Sequence, residues 1–257
     1  MDISLLAISI GNTCTHIGAF VRGELELSDH CDNEDVDALD ERIIKVNKAL
    51  GDDEDASVLI SSVHTEAMSM KITRIVERLT ERQSYRVGQD MPVPIGRQLD
   101  PETIVGEDRL LNAAAAYSVL KQSCVVVDAG TALTVDYVDG AGTFHGGAIL
   151  PGASLMLAAL HEHTAQLPEV QPARPREAVG HNTGEAMLSG MFHGIRGAVR
   201  ELTEQYAEKA GIFPLVVATG GNAELLFEDF PMIDRIVPNL TLMGLAVTMQ
   251  ESMDAEV

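Results

Sequence analysis

A repeated strand–turn–strand pattern limits the folds open to this chain more than any other feature. Residues 8–20 read ISIGNTCTHIGAF, and residues 127–138 read VDAGTALTVDYV. In both segments an apolar run enters an x-Gly-x turn and a second strand-like run leaves it, as in a β-hairpin. Ser9 in the first copy aligns with Asp128 in the second, an offset of 128 − 9 = 119 residues. Two related halves of that size predict a two-lobed molecule with a cleft between the lobes.

Glycine turns of this kind suit phosphate binding. Glycine lets the backbone approach a phosphate, whose oxygens then accept hydrogen bonds from backbone N–H groups and Thr hydroxyls. An acid at the strand end can hold a cation that offsets phosphate charge. One such hairpin often marks only a turn. Two in corresponding places, followed by the ATGG turn at 218–221, predict a phosphate site.

Strands and helices alternate along the chain, which indicates an α/β fold. The 257 residues are enough for two lobes that each bury a core. We predict an N-terminal lobe over 1–118 and a C-terminal lobe over 119–257. Predicted strands cover 4–10, 15–22, 57–63, 124–139, 144–150 and 214–221, and predicted helices cover 39–50, 65–82, 107–121, 153–165, 183–210 and 239–252.

The charge balance excludes some partners. The chain has 18 Lys and Arg against 39 Asp and Glu, a formal net charge of −21. Such a surface repels nucleic-acid phosphates and anionic membranes, so we predict no nucleic acid and no membrane among its partners. No apolar run approaches the roughly 20 residues of a membrane span. Three cysteines are too few for a disulfide framework, and we expect a cytoplasmic protein.

A set of short motifs runs along nearly the whole chain. The motifs are IGNT (10–13), SSV (61–63), GEDR (106–109), DAGTALT (128–134), GGAILPG (146–152), TAQLP (164–168), GHNTGEA (180–186), GMFHG (190–194), ATGG (218–221) and LTLMGL (240–245). Each motif is short, and their order and spacing together are specific. In these motifs the chain resembles the type III pantothenate kinases of the acetate kinase/sugar kinase/actin superfamily. The resemblance implies two ribonuclease-H-like lobes of the actin-like ATPase fold and a homodimer.

The resemblance also implies an activity. These enzymes transfer the γ-phosphoryl group of ATP to pantothenate, giving 4'-phosphopantothenate in the first step of coenzyme A biosynthesis. They use Mg²⁺ with ATP, and K⁺ or NH₄⁺ as a monovalent cation. The acid of their GxDR motif is the general base, which falls on Asp108, and Asp128 matches the ligand of the monovalent cation.

The remaining site residues follow from the same match. The first turn and one residue of the second turn match ATP and phosphate contacts: Ser9, Ile10, Gly11, Asn12, Thr13, Cys14, Thr15, His16 and Thr131. The GEDR motif, the NT pair and the loop before GEDR match pantothenate contacts: Gln98, Gly106, Glu107, Asp108, Arg109 and Thr183.

The chemistry of Asp108 and Arg109 agrees with these roles. A primary alcohol needs a carboxylate within hydrogen-bond reach to accept its proton. An Arg side chain can bind the pantothenate carboxylate through two hydrogen bonds. The alternative for Asp108 is purely structural: an acid in the first turn of helix 107–121 stabilises the helix dipole.

The sequence departs from the family pattern at two positions. Ser9 stands where the family has Asp, and a neutral hydroxyl weakens a metal–phosphate site. Losing that charge predicts a loss of roughly 10²–10⁴ in rate. Gln98 stands where the family has a Tyr that contacts pantothenate, so it keeps a hydrogen bond but loses aromatic packing.

Three classes of function stay open. The first class is an enzyme. A kinase of reduced activity predicts ADP release that depends on pantothenate, and a related kinase or phosphohydrolase predicts turnover of another small substrate. A catalytically inactive ligand-binding or regulatory protein predicts binding without turnover. A structural protein predicts neither, with dimerisation through the helix at 190–197. Ser9 is the residue that separates the first class from the second.

Overall fold

The computed structural model describes residues 3–51, 53 and 55–255. Among these residues, no helix combines the length and the apolar character needed to cross a bilayer. The elements before residue 121 are β1 Leu5–Ile10, β2 Cys14–Val21, β3 Glu24–Asp32, α1 Val36–Asn47, β4 Ser57–Ser62, α2 Glu66–Thr80, β5 Ser84–Arg86, β6 Gly96–Arg97 and α3 Glu107–Leu120. Those that follow are β7 Cys124–Ala129, β8 Ala132–Val138, β9 Thr143–Pro151, α4 Ala153–Glu162, α5 Thr183–Ala210, β10 Leu215–Thr219, α6 Ala223–Phe227, β11 Arg235–Ile236 and α7 Leu240–Ala255.

The chain divides into two compact units. The first holds the residues up to Gly96, Asp100–Ser118 and the chain from Asn239 onwards, and the second holds Arg97–Leu99 and Val119–Pro238. Helix α7 therefore groups with the first unit, where it packs against β1, β2 and β4. The two-lobe division at residues 118 and 119 stays a prediction. The two units differ from the predicted lobes chiefly because α7 belongs to the first unit.

Each unit is built on one mixed sheet. In the first unit the strand order is β3-β2-β1-β4-β5. Strand β2 runs antiparallel to both of its neighbours, and β4 runs parallel to β1 and β5. In the second unit the order is β11-β10-β7-β8-β9-β6, with β8 antiparallel to its neighbours and β10 parallel to β7 and β11. Strands β1–β5 thus repeat as β7–β11, and the predicted α/β class with an internal repeat is confirmed.

The buried faces explain why these strands form. All six residues of β1 are buried, because helices cover both faces of this central strand. One face packs with α1 and α2 in a core that includes Leu6, Ile8, Ile43 and Ile72. The core of the second unit joins β7, β8 and β10 to α4, α5 and α6. Two such cores hold the glycine turns at the strand ends.

Candidate active site

The first glycine turn is fixed by backbone bonds and by one buried side chain. The Gly11 N–H donates to the Cys14 carbonyl at 3.0 Å, and the turn residues Asn12 and Thr13 are exposed. Asn33 follows β3 and is 4% exposed. Its Nδ2 donates to the Gly11 carbonyl at 2.8 Å, and its backbone N–H donates to the Thr13 carbonyl at 2.9 Å.

Asn33 is a site-supporting residue that the sequence did not reveal. Its Oδ1 accepts a hydrogen bond from the Thr15 hydroxyl at 2.7 Å, and Thr15 is fully buried. The amide thus joins the start of β2 to the turn that precedes it. The signal in the sequence was weak, because an Asn beside acidic residues is typical of an exposed loop.

Ser9 lies in β1 just before this turn and is 7% exposed. Its Cα partners are His16 on β2 and Ser61 on β4. Partners in register share a face of the sheet, so the side chains flanking Ser9 are an imidazole and a hydroxyl. Neither brings the carboxylate that the family has at this position.

The GEDR motif lies at the same edge of the first sheet as the glycine turn. The Val63 N–H donates to the Ile10 carbonyl at 3.0 Å, and a Cβ on Gly106 would lie 3.6 Å from Val63 Cγ1. Glu107 Oε2 accepts a hydrogen bond from the Ser62 N–H at 3.3 Å. Because Ser62 is the register partner of Ile10, the structure brings the first turn and GEDR together.

Asp108 is half-buried in the first turn of α3. Its Oδ1 accepts a hydrogen bond from the Arg109 N–H at 2.8 Å. Burial raises the pKa of the Asp108 carboxyl, against a smaller lowering effect of Arg109. A Cβ on Gly106 would lie 2.6 Å from Asp108 Oδ1, so glycine is needed for this side chain to fold back over the helix terminus.

The second turn brings three predicted motifs together. Asp128 is half-buried near the end of β7 and pairs in register with Thr219 of β10. Gly220 has a φ of +94°, and a Cβ there would lie 2.5 Å from Asp128 Oδ1. The Gly152 N–H donates to the Thr131 carbonyl at 3.0 Å. The DAGT and TGG segments therefore meet around the Asp128 carboxylate, and the PG segment packs against the DAGT turn.

The last two predicted positions lie elsewhere in the second unit. The Gln98 N–H donates to the Phe144 carbonyl at 3.0 Å, and the residue is exposed. Thr183 begins α5, where the Asn182 side chain accepts from the Glu185 N–H at 2.9 Å and caps the helix. Thr183 also lines an apolar cavity of about 290 Å³, together with Met156, Leu160, Leu167, Ala186, Met187, Gly190 and Met191.

The sequence of this chain matches known proteins along most of its length. The family profile of type III pantothenate kinase matches residues 5–205. A type III pantothenate kinase of Dehalococcoides mccartyi is 34% identical over 97% of this chain and 98% of its own. One of Rhodospirillum rubrum is 36% identical over 95% of this chain and 96% of its own.

Solved structures show the same fold at low identity. A conserved Baf family protein of Campylobacter jejuni superposes with a TM-score of 0.64 at 19% identity, over 97% of this chain and 99% of its own. Component A of (R)-2-hydroxyglutaryl-CoA dehydratase from Acidaminococcus fermentans superposes with a TM-score of 0.58 at 14% identity, over 99% of this chain and all of its own. The repeated sheets and these neighbours define a protein of the actin-like ATPase fold, as the sequence predicted. Within that class, the chain belongs to the type III pantothenate kinase family.

Proposed function

We propose that this protein transfers the γ-phosphoryl group of ATP to pantothenate and forms 4'-phosphopantothenate, the first step of coenzyme A biosynthesis. The observation that carries the proposal is the near full-length match to proteins named type III pantothenate kinase. The GEDR and DAGT motifs, which carry the proposed base and cation ligand, lie within the matched residues 5–205. We also propose a cytoplasmic location.

Asp108 acts as the general base in this proposal. Phosphoryl transfer depends mainly on positioning and on neutralising charge, and the base accepts the proton of the attacking hydroxyl. The side chain is half-buried, and its Oδ1 is oriented by the N–H of Arg109 at 2.8 Å. The Arg109 guanidinium is suited to the pantothenate carboxylate, with Gly106 and Glu107 beside it.

The two glycine turns bind phosphates in this proposal. Exposed Asn12 and Thr13 in the first turn offer backbone N–H and side-chain donors to phosphate oxygens. The donor set fits a monovalent cation at the second turn, because the Asp128 carboxylate lies beside the backbone of Gly130 and Gly220. Bound K⁺ or NH₄⁺ would supply positive charge near the phosphates there.

The donor set fits Mg²⁺ less fully at the first turn. Mg²⁺ usually keeps several waters and takes one or two carboxylates besides the phosphates. Ser9 offers only a hydroxyl, so the ion would depend more on ATP oxygens and water. We therefore propose a kinase of reduced rate. Losing one charge near the metal costs several kcal/mol of transition-state stabilisation, which corresponds to a loss of roughly 10²–10⁴ in rate.

A second candidate function is a ligand-binding or regulatory protein without turnover. Ser9 and the exposed Gln98 favour it, because both replace groups that the family uses at its site. The proposed base Asp108 favours the kinase, as does the first turn that the Asn33 hydrogen bonds hold in shape. Binding of ATP or pantothenate without ADP release would support this second function.

We propose a homodimer that forms through α5. Three glycines on this helix, Gly190, Gly194 and Gly197, would meet no atom outside their own helix backbone within 4 Å if each carried a Cβ. Leu155 and Leu160 of the neighbouring α4 are exposed by 48% and 40%. A sedimentation experiment on the protein and on Gly194→Glu tests this, since a monomer in both would contradict the proposed dimer.

The kinase proposal is tested by measuring ADP release with MgATP, pantothenate and K⁺. The natural protein is compared with Asp108→Asn and Ser9→Asp. We expect slow turnover that disappears in Asp108→Asn and rises in Ser9→Asp. No turnover in any of the three proteins would contradict the pantothenate kinase proposal.

A further inference from the structure

Two histidine rings face each other on neighbouring strands of the first sheet. His16 on β2 is the Cα partner of His30 on β3. Their ring centroids lie 5.5 Å apart, and the ring planes are 21° from parallel. Both residues are exposed, so solvent and small ions can reach the pair.

This spacing suits two imidazoles that share one metal ion. Zinc–nitrogen bonds of about 2.0–2.1 Å in tetrahedral geometry place the centres of two bound rings roughly 5 Å apart. The observed 5.5 Å is close to that separation. The rings need only turn about χ2, a torsion with a broad range for His. Backbone pairing holds the two Cβ atoms close, so both nitrogens can reach one ion without a change in the sheet.

The surroundings favour a nitrogen-preferring ion over Mg²⁺. Cys14 and Asp32 form the next pair on the same face, because they are Cα partners two residues along each strand. Imidazole and thiolate ligands select zinc, nickel, cobalt or copper, whereas magnesium prefers oxygen.

The pair supplies two ligands rather than a complete cage. Within the described part of the chain, no three or more His, Cys, Asp or Glu side chains are already grouped to hold an ion. Water would complete the coordination. The competing explanation is a stacked pair of rings that stabilises the pairing of β2 with β3 and binds no metal.

We propose that His16 and His30 form a binding site for a late first-row divalent ion such as Zn²⁺ or Ni²⁺. The site lies beside the first glycine turn, and Ser9 is the Cα partner of His16 on the other side. A bound ion would therefore bring positive charge to the part of the sheet where the family carries an acid. The site needs neither ATP nor pantothenate, so it goes beyond the proposed kinase activity.

The test is calorimetric titration of protein without a polyhistidine tag, using Zn²⁺ and then Ni²⁺ in the absence of nucleotide. We expect one strong site in the natural protein. His16→Gln and His30→Gln should each weaken it by more than about tenfold, because the second ligand no longer binds within the same molecule. Excess Mg²⁺ should not displace the ion.

His163→Gln is the matched control, since His163 is an exposed histidine at the end of α4, and it should leave the strong site unchanged. Zn²⁺ should also raise the unfolding temperature of the natural protein and of His163→Gln, but not of His16→Gln or His30→Gln. Circular dichroism verifies that each variant folds. Equal binding in all four proteins, or displacement by Mg²⁺, would overturn the proposal. Because no nucleotide is present, a failure of kinase activity leaves this result unaffected.

Discussion

The Asn33 side chain donates a hydrogen bond to the Gly11 carbonyl at 2.8 Å across a sequence separation of 22 residues. Asn33 lies just after β3, and Gly11 lies in the turn between β1 and β2. The same amide accepts a bond from the buried Thr15 hydroxyl. A residue that the family motif does not include thus fixes the shape of the proposed phosphate turn.

Asn33→Ala should therefore damage both stability and nucleotide binding. The substitution leaves the buried Thr15 hydroxyl and the Gly11 carbonyl without this partner, at a cost of about 1–3 kcal/mol in the free energy of unfolding. We also expect a higher KM for ATP with little change in the KM for pantothenate. Thr15→Val removes only the second bond and should give a smaller effect of the same kind. Unchanged ATP binding in Asn33→Ala would show that the turn keeps its shape without the Asn33 side chain.

Asp108→Asn should separate catalysis from stability. Loss of a general base costs about 10²–10⁴ in kcat. Burial raises the pKa of Asp108 in the folded protein, so its contribution to stability is full below the unfolded pKa and is lost as pH rises through the folded pKa. At pH 7 the ionised carboxylate is therefore unfavourable, and Asp108→Asn should unfold at an equal or higher temperature. A less stable variant at pH 7 would contradict this sign.

The same raised pKa predicts the pH dependence of the proposed reaction. The base must be ionised to accept a proton, so kcat should fall as pH decreases through the pKa of Asp108. Because burial raises that pKa, the fall should begin above the pH expected for an exposed aspartate. A kcat profile between pH 4 and pH 8, with stability monitored in parallel, measures it. A rate that stays flat down to the ordinary carboxyl pKa would rule out Asp108 as the base.

Two adjacent glycines give a matched pair of variants at the second turn. Gly220→Ala places a Cβ 2.5 Å from Asp128 Oδ1 at a φ of +94°. We expect it to lower the free energy of unfolding by about 1–3 kcal/mol and to weaken activation by K⁺. Gly221→Ala is the control, because a Cβ there would meet nothing within 4 Å. A Cβ on Gly220 would also lie 2.6 Å from the Ala129 carbonyl carbon, so similar losses in both variants would show that the close contacts at Gly220 have no special effect.

Ser9→Asp should lower the stability of the free protein and raise its activity. The position is 7% exposed, so a new carboxylate loses hydration when the chain folds, and we expect a lower unfolding temperature without ligand. MgATP should restore more stability to this variant than to the natural protein, because the added charge binds the metal–phosphate group. Thermal unfolding with and without MgATP measures both effects. Equal stabilisation of the two proteins would mean that residue 9 does not face the metal.

The sequence revealed the fold through its repeat but missed four strands, of which β3 is the longest and β5, β6 and β11 have two or three residues each. Hairpins around Gly11 and Gly130 are local, so the turn residues alone predicted them. Strand β3 was missed because Leu25 and Leu27 are only half-buried and are followed by His30 and Asp32, which are exposed. An edge strand of this kind lacks the apolar run that identifies a buried strand.

The proposed site residues could be found from the sequence where they stand in contiguous motifs. The residues around Asp108 lie close together within the first unit, and those around Asp128 lie close together within the second unit. Asn33 and the register of His16 with His30 were not predictable, since both depend on how β3 pairs with β2. Contacts across a sheet need the register, and no local pattern in 24–33 sets it.

The return of α7 to the first unit affects how the protein is made. Synthesis proceeds from the N-terminus, so the sheet β3-β2-β1-β4-β5 leaves the ribosome long before the helix that covers it. Leu242 of α7 would lie 3.0 Å from a Cβ on Gly18, and Gly244 packs directly on Leu111. Until residues 240–255 emerge, that face of the nascent sheet lacks its cover, whereas the second unit already has all of its chain. The unit that is translated first is therefore the last to be completed.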